Sequence, residues 1–452
     1  MVDVKEIWKH KVGGGVQELC LSLDGEVILA ASSDGMLHLL SRDGNFLWSQ
    51  PAGAEITGID ISSTGDHIAV GLKSGAVVFL DRSGKTLWRY EAGEEVSGVS
   101  LSRNGKYVVA GTAGSSVHFI NSKGQLVWNR KAKGPVPSVA VSSSANYAAA
   151  GSDDSSIYFI DNYRTNMGGK VLWTLPTRGK VREIAISTDG FYTAAASADA
   201  YVHYLDKLGK LYWSHRLENT PAALAMSSSG DYVVVGLEGG AHPGQVSVFH
   251  RNEGLLWRYI TGVSTVGSVD ISANGAFISA GSQNEEVYLF HRNQKLLWKK
   301  PVEGWVDAVA ITSDGRYSVA GTRKGNLYLF DNSGAVEELR PRTQDEVELE
   351  VSLFRPMRTA PAPEAAAHPA PEPVEDGSQS TRNALEIVVD LCLLVVLGLL
   401  AMVYYFIIIR TIQTDLGLIL LLLLLIIMAF LLLLFYKYVI RKPQSERRKS
   451  FL

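Results

Sequence analysis

Eight tryptophans recur along this chain of 452 residues at nearly constant intervals. The gaps between them are 40, 40, 40, 45, 40, 44 and 41 residues, and a period of this length is typical of solenoids, propellers or arrays. Each period holds short β-type runs and Gly turns without a helical pattern, which favours a β-propeller. The repeating residues are Trp8, Trp48, Trp88, Trp128, Trp173, Trp213, Trp257 and Trp298.

Every period is assembled from the same four pieces. An apolar run such as 56–61 predicts an inner strand, and a Gly turn such as Asp24-Gly25 follows it. A second strand rich in small residues, an alternating third strand and an outer strand that carries the Trp complete the unit. The inner strands are predicted to begin at Val16, Ile56, Val96, Val136, Val181, Pro221, Val266 and Val306.

The two ends of the repeat complement each other. The last unit ends at Gly334 without a following Trp, whereas Trp8 precedes the first inner strand. The N-terminal strand is therefore expected to close the last blade, which removes exposed sheet edges. The predicted fold is an all-β eight-bladed β-propeller over residues 1–335.

The segment from Phe79 to Trp88, which reads FLDRSGKTLW, resembles the tryptophan-docking repeat of quinoprotein-type (PQQ-like) β-propellers. In that family the Trp packs between adjacent blades. The turns and the Phe-Asp strand ends also resemble WD-repeat propellers, although no Trp-Asp dipeptide stands where that family has one. The resemblance covers about residues 5–335 and implies a fold rather than an activity, because propellers host many unrelated functions.

The composition changes after the repeat. Residues 336–385 are predicted to form a disordered Pro/Ala-rich linker. Within it, 346–354 alternates like a strand that either pairs with the propeller or is solvated. Residues 386–440 contain two apolar runs, 387–409 and 416–436, each long enough to span a bilayer.

Only six residues separate these runs, so they are predicted to form an α-helical transmembrane hairpin that anchors the chain in the lipid bilayer. Residues 441–452 form a basic tail, and an excess of Lys and Arg marks the cytoplasmic side of a membrane. Residues 1–10 show no apolar segment of a secretory signal. We therefore expect an integral membrane protein whose propeller and both termini lie in the cytoplasm.

Charge and motif content argue against several functions. The formal charge is -3, from 43 basic and 46 acidic residues, which gives no sign of a nucleic-acid partner. The two cysteines form no disulfide framework or metal motif, and no nucleophile elbow, phosphate-binding loop or dinucleotide fingerprint occurs. No catalytic, cofactor-binding or metal-ligating residue is predicted, and no cofactor is expected.

A few residues depart from the repeat on the face that carries the outer-to-inner loops. Trp305 is the only Trp outside the periodic set. It is either a hot spot for a protein partner or a residue that plugs the channel or packs on the closure seam. Arg323 and Lys324 add a basic spot, and His242 lies in an inserted loop. These four residues are the candidate partner-binding site.

The sequence thus predicts a non-catalytic, membrane-anchored interaction scaffold on the cytoplasmic face, with an unidentified protein partner. Two alternatives remain open. One is a propeller enzyme that binds a quinone or another small molecule, and the other is an accessory subunit of a membrane or envelope assembly complex.

Overall fold

The computed structural model describes residues 4–162 and 168–339. These residues form eight four-stranded antiparallel sheets and one short helix. Each sheet is a blade with an inner, a second, a third and an outer strand. The predicted all-β eight-bladed propeller is confirmed.

The inner strands are β2 (Val16–Leu21), β6 (Ile56–Ile61), β10 (Val96–Leu101), β14 (Ser138–Val141), β18 (Val181–Ile186), β22 (Pro221–Met226), β26 (Val266–Ile271) and β30 (Val306–Ile311). The second strands are β3 (Val27–Ser32), β7 (His67–Leu72), β11 (Tyr107–Thr112), β15 (Tyr147–Ser152), β19 (Tyr192–Ser197), β23 (Tyr232–Leu237), β27 (Phe277–Ser282) and β31 (Tyr317–Thr322). The third strands are β4 (Met36–Ser41), β8 (Ala76–Asp81), β12 (Ser116–Asn121), β16 (Ser156–Asp161), β20 (Tyr201–Asp206), β24 (Gly244–His250), β28 (Glu286–His291) and β32 (Asn326–Asp331). The outer strands are β1 (Lys5–Lys11), β5 (Phe46–Pro51), β9 (Thr86–Glu91), β13 (Leu126–Lys131), β17 (Lys170–Pro176), β21 (Leu211–Arg216), β25 (Gly254–Gly262) and β29 (Lys295–Pro301).

Blade 4 departs most from the predicted inner strands. Its strand β14 begins at Ser138 rather than at Val136, because Pro137 has no N–H to donate to the ladder. The turn after β14 lacks the usual Gly, and Ala145 takes a φ of 60° there. The other seven inner strands begin at the predicted residues.

The N-terminal strand closes the ring as predicted. β1 pairs antiparallel with β32, with Lys5 opposite Asp331 and Lys11 opposite Asn326. Blade 8 is therefore built from both ends of the propeller sequence. Its sheet order is β1-β32-β31-β30.

The hydrophobic core is divided among the interfaces between blades. The buried apolar residues form eight clusters, each shared by two neighbouring blades. One of them joins blade 8 to blade 1 through residues such as Val16, Leu40 and Leu329. Each blade is thus stabilised by burial against both of its neighbours.

The repeating tryptophans dock between blades. The indole Nε1 of each donates a hydrogen bond to the segment that follows the third strand of the next blade, at 2.6 to 3.1 Å. Gly84 shows why the turn in this segment of blade 2 ends in Gly: its φ is 84°, and an added Cβ would lie 3.0 Å from the ring of Trp48. The Trp-docking interpretation of the repeat is confirmed.

A short helix, α1 (Ser333–Leu339), follows β32 and continues past residue 335, the predicted end of the propeller. Its Ala335 is buried, and the carboxylate of Glu338 accepts a hydrogen bond of 2.9 Å from Lys295. Across 4–162 and 168–339 there is no helix with the length and apolarity of a membrane span. The predicted spans 387–409 and 416–436 and the linker segment 346–354 lie outside the described residues.

Candidate functional site

The two ends of the propeller differ in their loops. The outer-to-inner connections and the second-to-third hairpins lie at one end of the blades, which we call the upper face. The other two kinds of turn lie at the opposite end, the lower face. Three of the candidate partner-binding residues meet on the upper face of blade 8, and His242 lies on the same face of blade 6.

Trp305 lies in the loop before β30 and is 43% exposed. The guanidinium carbon of Arg323 is 4.6 Å from the centroid of its indole ring, a cation–π distance. Arg323 also donates its backbone N–H to the carbonyl of Trp305 at 2.8 Å. The ring is thus held in place while one side stays open to solvent.

The charge of Arg323 is balanced by Asp307. The guanidinium donates two hydrogen bonds to this carboxylate, at 2.8 and 3.0 Å, in a bidentate pair. The hydrogen bond to Asp307 raises the pKa of the Arg323 guanidinium. Trp305 therefore lies on a preorganised, electrically neutral platform.

Lys324 belongs to a chain of ion pairs along the closure seam. Its ammonium lies 3.5 Å from the carboxylate of Glu285 in blade 7. Its carbonyl accepts a hydrogen bond from Lys11, and Lys9 pairs with Glu303 at 2.5 Å. Both of these lysines come from β1, so the candidate partner-binding residues of blade 8 lie where the N-terminal strand completes the ring.

His242 is exposed in the longer hairpin of blade 6, between β23 and β24. That hairpin lies beside the loop before β26, since Gly240 donates a hydrogen bond of 3.0 Å to the carbonyl of Val263. Val263 is 77% exposed, and Ile260 is 59% exposed. The upper face of blades 6 to 8 therefore combines Trp305 with two other exposed apolar side chains.

The centre of the propeller holds a cavity of about 520 Å³, lined by the inner strands and the turns that follow them. Trp305 does not line this cavity. Small residues such as Ala140, Ala185 and Ala310 leave room in its wall. The cavity is also lined by Asp60 and Asp270, which the sequence analysis did not single out.

Four carboxylates lie on the inner strands, Glu18, Asp60, Glu183 and Asp270, and two of them, Asp60 and Asp270, line the cavity. Three of the four carboxylates accept a backbone N–H from the inner strand of the next blade: Glu18 from Ile59, Asp60 from Leu101 and Asp270 from Ile311, at 2.7 to 2.8 Å. The inner edge of each sheet has no further strand to pair with, so these side chains satisfy N–H groups that would otherwise lack a protein partner.

Burial raises the pKa of all four groups. The pKa is raised to about 7 for Glu18 and Glu183 and to about 6 for Asp60 and Asp270. The charge of Glu18 raises that of Glu183 further, whereas Arg103 lowers those of the two aspartates. The channel wall thus changes its charge between about pH 5 and pH 8.

The lower mouth of the channel is tied by a ring of backbone hydrogen bonds. At six blade junctions the second residue after the inner strand donates its N–H to the equivalent carbonyl of the next blade, at 2.9 to 3.1 Å. The hydroxyl of Ser313 bonds to the carbonyl of Leu23 at the closure junction. Arg103 stands in this ring and reaches the hydroxyl of Ser228 in blade 6 at 3.4 Å.

Other ionisable residues lie in structural positions. His38, His118 and His203 are buried on third strands, and burial lowers the pKa of each. In the described part of the chain, no group of three or more His, Cys, Asp and Glu side chains has the arrangement of a metal site. The carboxylates of the channel were missed in the sequence because they occur on only some inner strands and do not follow the repeat.

Known proteins resemble this chain in fold. A family model described as outer membrane protein assembly factor BamB matches residues 2–92 and 33–164. The crystal structure of BamB from Moraxella catarrhalis is 18% identical, with a TM-score of 0.57 over 73% of this chain and 100% of that one. No curated protein matches the sequence. The chain therefore contains a PQQ-like, eight-bladed propeller that is similar in fold to BamB.

Proposed function

We propose that this propeller is a non-catalytic, protein-binding subunit of a membrane-associated assembly complex, and that it binds its partner through the upper face of blade 8. The observation that carries the proposal is Trp305, which is exposed and yet fixed by Arg323. A rigid aromatic residue beside an Arg is typical of interface hot spots, because little conformational entropy is lost when a partner covers it.

The similarity to BamB supports an assembly role. The matching family model is described as outer membrane protein assembly factor BamB. The eight-bladed ring offers the same kind of platform here. Tethering such a platform at a membrane would raise the local concentration of its partner.

Co-purification from membranes tests the proposal. The full chain is compared with the double variant Trp305→Ala/Arg323→Ala and with Leu208→Ala. Leu208 is a suitable control because it is 81% exposed on the lower face. We expect a stoichiometric protein partner with the wild type and with Leu208→Ala, and its loss with the double variant. Retention of the partner by the double variant would exclude this face.

The propeller-enzyme alternative gives a different result in the same preparation. A propeller that binds a quinone or another small molecule would carry that molecule after purification, and native mass spectrometry would detect the added mass. The central cavity of about 520 Å³ is the place where it would bind. A stoichiometric small molecule without a protein partner would favour the enzyme over the scaffold.

We also propose that the propeller lies on the cytoplasmic side of the membrane. The basis is the cluster of Lys and Arg within 437–449, next to the second apolar run. Protease added to intact and permeabilised cells tests this, with tags at both ends of the chain. Cleavage of the propeller only after permeabilisation is expected, and cleavage in intact cells would place it on the opposite side.

A further inference from the structure

The outer strands share a feature that is separate from the upper face. Each contains a β-bulge one residue before its Trp, so that one residue has no partner on the third strand. A bulge redirects its side chain away from the sheet. In all eight blades the bulged residue is a large apolar or aromatic one: Ile7, Leu47, Leu87, Val127, Leu172, Tyr212, Leu256 and Leu297.

Blade 7 shows what covers such a residue. Leu297 is completely buried, whereas Leu87 is 45% exposed and Leu172 is 39% exposed. Leu297 shares a buried cluster with Ala335 of α1, and Val336 and Leu339 pack against that cluster. The helix therefore covers on blade 7 a surface that is open on the blades of Leu87 and Leu172.

An ion pair accompanies the apolar contact. Lys295, two residues before Leu297, donates a hydrogen bond to Glu338 of α1 at 2.9 Å. The sequence Lys-x-Leu-Trp that carries this pair, 295–298, recurs at 85–88 and at 170–173. Both Lys85 and Lys170 are exposed.

We propose that the rims of blades 2 and 4, at Leu87 and Leu172, each bind a short acidic amphipathic helix of a partner protein in the manner of α1. The occupant follows from the chain's own example: small and branched apolar residues cover the Leu, and a carboxylate one turn away pairs with the Lys. These rim sites lie on the outer strands, so this proposal does not depend on whether the Trp305 surface binds a partner.

The chain also provides matched controls. Leu47 and Val127 are bulged residues that are 46% exposed, as open as the two proposed sites. Asn45 and Gln125 stand where those sites have Lys. These two blades therefore have the exposed apolar residue of the proposed sites but lack the positive charge beside it.

The test uses a fluorescent, helix-stabilised peptide with the sequence of α1, SGAVEEL, titrated with the full chain. Stabilisation is needed because a helix this short does not form alone in water. We expect saturable binding that weakens at least about tenfold in Leu87→Asp/Leu172→Asp and is unchanged in Leu47→Asp/Val127→Asp. Absence of binding to the wild type, or an equal loss in both double variants, would overturn the proposal.

A charge swap tests the ion pair. The peptide with Glu338→Lys is expected to lose binding to the wild type and to regain it with Lys85→Glu/Lys170→Glu, because opposite charges then face each other again. Failure of this rescue would refute the acidic helix as the occupant. Self-association of the chain, or binding to anionic vesicles, that disappears in Leu87→Asp/Leu172→Asp would assign the rims to a second copy or to lipid and would likewise overturn the proposal.

Discussion

Both the outer rim and the central channel contain contacts between neighbouring blades, but the chemistry of these contacts differs. On the rim, eight tryptophans donate to the following blade, and six of the eight acceptors are backbone carbonyls. In the channel, side chains accept backbone N–H groups at only some junctions: carboxylates of Glu18, Asp60 and Asp270, and hydroxyls of Ser138 and Ser268. Gly or Ala stands at other equivalent positions, such as Gly98 and Ala308. Regular packing on the rim therefore holds the ring, while the channel is free to vary in charge.

The largest expected effect is a difference in stability between substitutions at two tryptophans of the rim. Trp298 is 1% exposed and donates to the buried Oδ1 of Asn332, whereas Trp88 is half-buried. Trp298→Ala is expected to lower the free energy of unfolding by about 3–5 kcal/mol, since it opens a cavity and removes a buried hydrogen bond. Trp88→Ala should cost clearly less. Urea unfolding of both variants measures the difference, and equal losses would show that burial does not rank the rim contacts.

A smaller effect is expected in the channel. Asp270 accepts the N–H of Ile271 with one oxygen and that of Ile311 with the other, both at 2.8 Å. Asp270→Ala leaves two N–H groups without their acceptor and is expected to cost about 2 kcal/mol. Asp270→Asn keeps one acceptor oxygen and should cost less. If Asp270→Ala unfolds at the wild-type urea midpoint, the channel contacts do not stabilise the ring.

The contributions of the channel and of the rim to the stability of the fold should also change with pH in opposite directions. The pKa of Glu183 in the folded state is about 7, above its unfolded value, so its contribution is fully present below the unfolded pKa and is lost as pH rises through 7. Glu183→Gln is therefore expected to raise the melting temperature relative to wild type at pH 8 but not at pH 5.

On the rim, hydrogen bonds from Ser83 lower the pKa of Asp81, so its contribution is present above the unfolded pKa and is lost as pH falls. Asp81→Asn should therefore lower the melting temperature at pH 7 and have less effect near pH 3. The same pH dependence for Glu183→Gln and Asp81→Asn would remove the electrostatic contrast between channel and rim.

The sequence predicts the part of the molecule that repeats. Trp8 and Gly334 were enough to predict the closure by β1, because packing eight equal units into a ring leaves one outer strand missing. The start of β14 was missed because Pro137 removes a donor inside an otherwise periodic run. The helix α1 was missed because seven residues with a Gly carry no helical periodicity.

The candidate site was predictable only where it breaks the period. Trp305 is visible as a single Trp at a position where other blades have small or polar residues. Its contact with Arg323 joins residues from two different loops, which spacing alone does not reveal. Carboxylates on inner strands, such as Asp60 and Asp270, carried a signal in retrospect, since a charge within an apolar strand requires a partner or an open channel.

The most direct test of the scaffold is Trp305→Thr, which gives blade 8 the residue found at the equivalent positions Thr220 and Thr265. Urea unfolding of this variant and co-purification of its partner from membranes are carried out on the same preparation. We expect a free energy of unfolding within about 0.5 kcal/mol of wild type, as for a surface substitution, together with loss of the partner. A destabilised propeller would show that Trp305 stabilises the fold, and a partner that stays bound would show that Trp305 is not needed for recognition; either result would contradict the account.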